Sequence, residues 1–158
     1  MITAARRFRR TVAVLFVLYA LIMLWLLFAQ RISPLTPGHD YLQLLQGRIN
    51  LIPFRTIDEF ITAPAHGISR SHAFINLAGN VVMFVPLGAA LPALWMRLCS
   101  FGRCMGYSAL ILLTVEFVQL FTLLGSADID DLILNLVGTA IGFGIFRLLN
   151  KWKRAWFM

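Results

Sequence analysis

The chain has 158 residues, of which 59% are hydrophobic and only 13% charged, and its mean hydropathy is +0.80. A soluble domain of this length still leaves roughly a third of its unfolded surface in water, so the composition excludes an ordinary soluble enzyme and defines an integral membrane protein. The formal net charge is +7, but the basic residues stand in blocks beside apolar runs, which points to anionic lipid rather than nucleic acid as the partner.

Four apolar runs have the length of a bilayer crossing, at 12–29, 73–95, 105–124 and 129–149. The reading is all-α: one membrane domain over 1–158, a four-helix transmembrane bundle. A cleaved signal peptide competes for the first run, since Arg6, Arg7, Arg9 and Arg10 make a basic leader. That run is too long, however, and Leu27 spoils the small-residue cleavage pattern. The second run carries Pro86 and Pro92 and is expected to kink, with the freed carbonyls facing protein. The third is interrupted by Glu116 and Gln119. The fourth opens on acids and is rich in glycine.

Basic blocks before the first run, between the second and third, and after the fourth place both termini in the cytoplasm. The connections 30–72 and 125–128 then face outward, and Trp25, Trp95, Trp152 and Trp156 fall near span ends as interfacial anchors. Within the first outer loop, 50–57 is too short to cross. It is expected as a re-entrant or interfacial segment over the outer span ends, because Leu51, Ile52 and Phe54 would be poorly placed in water; a solvated loop is the plainer reading. Cys99 and Cys104, in the cytoplasmic turn, make a poor zinc pattern and read as structural thiols.

Polar groups inside a membrane are costly, so their spacing carries the functional signal. His72, Asn76 and Asn80 repeat along one face of the second span, Glu116 and Gln119 share a face of the third, and Asp128, Asp131 and Asn135 share a face of the fourth. Asn80, Glu116 and Asn135 each lie roughly 10 Å below the outer ends of their spans. A shared polar cavity, open outward with Asp128, Asp130 and Asp131 at its mouth, is the expectation. Interhelical packing competes with function for Asn76, Asn80, Gln119 and Asn135, and Gly138 to Gly142 is most simply a close-packing face. Asp128 is also expected to cap the fourth helix. A short echo relates 76–84 to 135–143.

These motifs, in order, resemble the VanZ-like family of bacterial membrane proteins over roughly 50–144. Asn50 to Ile57 resembles the family's N-L-I-P-F-x-T-I segment. Asn76, Gly79, Asn80, Phe84, Pro86 and Gly88 resemble its asparagine-rich span, and Glu116 with Gln119 its E-x-x-Q pair. Asp128, Asp130, Asp131, Asn135 and Gly138 resemble its acidic stretch. Many members carry an arginine just ahead of that stretch, where this chain has Gly125, Ser126 and Ala127. The resemblance implies a link to resistance against the lipoglycopeptide teicoplanin, and the bacterial cytoplasmic membrane as the location.

Two functions follow as expectations. The first is non-covalent binding of a membrane lipid, a lipid-linked cell-wall precursor or a lipoglycopeptide antibiotic by Asn76, Asn80, Gln119, Asn135 and His72, with Arg55 contacting phosphate. The second is an enzyme on a lipid-linked phosphate or glycan, with Glu116, Asp130 and Asp131 catalytic and Asp128, Asp130 and Asp131 holding a divalent cation. Proton-coupled transport through Glu116 is a weaker third, since four spans make a thin conduit unless the chain forms a homo-oligomer through Gly138 and Gly142.

Overall fold

The computed structural model describes residues 2–28, 40–62 and 70–156, excepting the side chains of 2–5, 60, 70–73, 76 and 152–156. In chain order the elements are α1 (Ile2–Phe28), α2 (Tyr41–Gln46), β1 (Ile49–Asn50), α3 (Arg55–Thr62), α4 (Arg70–Leu94), a 3-10 turn (Met96–Leu98), α5 (Phe101–Phe121), β2 (Ala127–Asp128) and α6 (Ile129–Trp156). Among the described residues four helical stretches are long and apolar enough to cross a membrane: Arg6–Phe28, Leu77–Leu94, Phe101–Phe121 and Ile129–Lys151. The all-α membrane bundle expected from the apolar runs is therefore the fold.

β1 and β2 form a two-stranded parallel ladder, Ile49 opposite Ala127 and Asn50 opposite Asp128, which ties the α2–α3 connection to the turn between α5 and α6. This end of the bundle is called the strand end below. From it α4 and α6 run in the same direction toward the opposite end, where the basic blocks gather.

Helices in lipid gain nothing from leaving water, so close backbone approach has to supply their packing. Three glycines allow it. A Cβ on Gly138 would run into the Val81 carbonyl, one on Gly142 into that of Val85, and one on Gly88 into that of Thr139. The Gly138–Gly142 face is thus turned to α4 within the chain. The echo segments lie along these two parallel helices, and their phenylalanines, Phe84 and Phe143, are both buried in one core. Their glycines differ, because Gly79 has open space where Gly138 has backbone.

That core takes Met23 from α1, Leu87 and Leu91 from α4, and Cys104 and Leu112 from α5. α1 is the outermost span, with 6% of its apolar window buried against 28–33% for the others, so most of its side chains face lipid. The Tyr19 hydroxyl nevertheless donates to the Met83 carbonyl at 2.9 Å, on the turn of α4 that the Pro86 ring disturbs. Tyr19→Phe is expected to lower stability by about 0.5–1 kcal/mol, read as reversible unfolding in mixed micelles.

Residues 50–57 do not thread between the spans. They form the end of β1, a tight turn and the first turn of α3, and Leu51, Ile52 and Phe54 project outward with 60–68% of their surface exposed. The protein itself therefore does not bury them: the turn is held by backbone and carboxylate bonds, leaving its apolar side chains outside.

Candidate functional site

The strand end is organised by the three acids that open α6, each of which is turned to a different partner. Asp128 is the helix cap: its Oδ1 accepts from the Asp130 amide at 2.8 Å. Its Oδ2 accepts from the Thr56 hydroxyl at 2.5 Å and from Asn50 Nδ2 at 3.2 Å. Asn50 Nδ2 also donates to Thr56 Oγ1 at 2.9 Å, closing a triangle between β1, α3 and β2.

Asp130 is fully buried and faces the N-terminus of α3. Its Oδ1 accepts from the Phe54 amide at 2.6 Å and its Oδ2 from the Ile57 amide at 3.1 Å. A carboxylate from a helix 73 residues away thus does the work of an N-cap, satisfying amides that α3 cannot satisfy itself and meeting the positive end of its dipole. Phe54 has φ 66°, a left-handed conformation that a bulky residue adopts only when held there. The bond to Asp130 does the holding.

Asp131 points to α4, where Asn80 Nδ2 donates to its Oδ1 at 2.6 Å. Both residues are half-buried. A double-mutant cycle of Asn80→Ala with Asp131→Ala is expected to give a coupling of about 1–2 kcal/mol in unfolding; additivity would show the pair contributes nothing jointly. Among the described residues, no three His, Cys, Asp or Glu side chains are grouped as cation ligands. The oxygens of Asp128, Asp130 and Asp131, expected around one cation, are directed to amides, a hydroxyl and carboxamides. Asp130, with both oxygens on backbone amides, tethers the turn at 54–57 to α6.

On α5, Gln119 is 2% exposed, and its Nε2 donates to the Leu27 carbonyl at 2.9 Å, satisfying the end of α1. Glu116, one turn earlier, is half-buried. Asn135, 7% exposed, lies one turn below Asp131 on α6, and its Oδ1 has no hydrogen-bond partner among the described residues. The side chains of His72 and Asn76 lie outside the described residues. Of the polar residues expected to share one layer, Asn80 meets Asp131 across α4 and α6, with Asn135 one turn below Asp131, while Gln119 is turned to the end of α1.

Arg55 is exposed on α3 and pairs with Glu59 at 3.0 Å. The guanidinium that organises the site is Arg48, which sequence reasoning missed. It donates to the carbonyls of Leu123 and Gly125, and its own carbonyl accepts from the Ala127 amide at 2.8 Å. α5 ends with Leu123 at φ 56°, the Leu123 amide returning to Leu120 and the Leu124 amide to Gln119. Leucine is costly at a position that suits glycine; its burial and Arg48 offset the strain. The cation missing just before the acids in sequence is thus supplied to the same turn in space. Arg48→Met is expected to cost about 1–3 kcal/mol and to free the turn 123–127, measured as faster amide exchange there.

This geometry defines a class: a four-span membrane bundle whose strand end is a tethered polar cap. Residues 16–150 match the family model described as VanZ/LLP1, and the chain belongs to that family. Among curated proteins it is similar to Protein VanZ of Enterococcus faecium, 28% identical over 138 residues that cover 87% of this chain and 74% of the relative. No solved structure matches.

Proposed function

We propose that this VanZ-family protein sits in the bacterial cytoplasmic membrane with its strand end outward and holds there, without covalent chemistry, the head group of a lipid-linked cell-wall precursor or a lipid-tailed glycopeptide. The observation that carries this reading is the presence of two features at one end. The Asn80–Asp131 pair, a polar seam half-buried between α4 and α6, and the turn that exposes Leu51, Ile52 and Phe54 both stand at the strand end, the turn being tied to the neighbouring Asp130. The seam suits a sugar, peptide or phosphate group and the turn suits the acyl or prenyl chain beside it. Outward orientation is supported by charge, because ten of the fourteen Lys and Arg residues fall at 6–10, 97–103 and 147–154, toward the other end.

Asn135 Oδ1, buried and without a partner among the described residues, is read as a further acceptor for the head group. Arg55 is read as the phosphate contact, since its exposed pairing with Glu59 is worth only about 0.3–0.5 kcal/mol and is readily exchanged. The resemblance to the VanZ-like family adds teicoplanin as a ligand of the right kind. Catalysis is the less supported reading, because Asp130 is fully occupied by amides.

The test is native mass spectrometry of wild type and the Asn80→Ala/Glu116→Ala variant, released gently from membranes. A lipid-linked precursor retained by wild type and lost from an equally folded variant is the expected result. Identical spectra would assign the seam to packing alone.

A further inference from the structure

At the end opposite the seam, a groove of about 600 Å³ runs between the start of α1 and the end of α4, lined by Arg6, Arg9, Arg10, Phe16 and Trp95, with Ala13 at its floor. Residues 6, 9, 10, 13, 16 and 17 line it, a spacing that puts them on one face of α1; Arg7 is on another. Trp95 meets Phe16 edge-on, ring centroids 6.1 Å apart, forming an aromatic wall below the guanidinium groups. From the groove the exposed apolar side chains of α1, among them Val14, Val17, Leu18 and Leu21, continue along the span.

We infer that this groove is a binding site for the phosphodiester head group of an anionic membrane phospholipid. Three guanidinium groups on one face repel one another unless an anion lies among them, and among the described residues no acid lines the groove. All seven Asp and Glu residues lie between Asp40 and Asp131. Arginine is the side chain best matched to phosphate, presenting paired donors in a plane. The groove is open, and its volume is enough for a small head group. A small floor at Ala13 lets the head group enter, Trp95 and Phe16 suit the glycerol level, and the bare flank of α1 receives the acyl chains. The ligand is a lipid and not a free phosphate, because only a lipid uses both the cationic groove and that apolar flank. This site is independent of the strand-end seam.

The test uses the full chain in neutral detergent, titrated with a phosphatidylglycerol, a phosphatidylcholine and inorganic phosphate, with bound lipid counted by native mass spectrometry. Wild type is expected to bind phosphatidylglycerol at least about tenfold more tightly than phosphatidylcholine. Arg6→Gln/Arg9→Gln/Arg10→Gln should abolish the difference, whereas Arg7→Gln/Arg103→Gln/Arg147→Gln, removing equal charge outside the groove, should change it less than about twofold. Ala13→Trp, which fills the floor and keeps every charge, should match the groove variant. It also decides the matter should the triple variant fail to insert. Equal loss from both triple variants, or full binding by Ala13→Trp, would overturn the groove in favour of diffuse attraction. Competition by millimolar phosphate as strong as by the lipid would make it an anion site without lipid specificity, also overturning the inference.

Discussion

Gly138→Val is expected to be the most damaging single substitution in the chain. The added atoms meet the Val81 carbonyl, which is backbone and cannot rotate aside, so α4 and α6 must separate along the contact that also includes Gly142 and Gly88. Overpacking costs about 1–3 kcal/mol where side chains can yield; here none can, and the loss should reach or exceed the top of that range. Gly144→Val is the control, since a Cβ there meets nothing within 4 Å. A thermal melt in detergent checks both. Gly138→Val should fall by many degrees or fail to accumulate, while Gly144→Val stays near wild type.

Asp130→Ala is expected to follow closely. It leaves the amides of Phe54 and Ile57 without their acceptor and removes the carboxylate from the α3 N-terminus, at a cost of about 2–4 kcal/mol. The loss is local in character. Hydrogen exchange should accelerate most in 50–62, with the amides of the spans little changed. Asp130→Asn keeps one acceptor oxygen and should sit between the two. If Asp130 instead served chemistry in a pre-formed site, Asp130→Asn would leave exchange in 50–62 unchanged while abolishing function.

The four spans were legible because length and apolarity alone define a bilayer crossing, and the Asp128 cap because a carboxylate before a helix has one obvious use. Helix ends were less so. Hydropathy carries the third run to Leu124, but α5 stops at Phe121 because Leu123 turns left-handed, and no glycine marks the place. The roles of Asp130, Gln119 and Arg48 were hidden for a common reason. Each bonds a backbone group 73 to 92 residues away, and a backbone group has no signature in sequence. Depth matching grouped Asn80 with Glu116 and Asn135, whereas the side chain Asn80 bonds is Asp131. Depth says nothing about rotation around a helix axis. The outward Leu51, Ile52 and Phe54 follow from Asp130 taking the Phe54 amide inward, which no local pattern contains.

Ligand binding at the strand end is tested most directly by photocrosslinking in membranes. A benzophenone side chain is placed at Ile52, exposed on the turn at the strand end, or at Leu148, exposed on α6 toward the opposite end, with a radiolabelled lipid-linked cell-wall precursor in the bilayer. The account predicts labelled protein from position 52 and none from 148, with the signal at 52 lost on Asn80→Ala/Glu116→Ala and competed by a lipid-tailed glycopeptide. Equal labelling at both positions, or labelling at 52 that survives the double substitution, would contradict it.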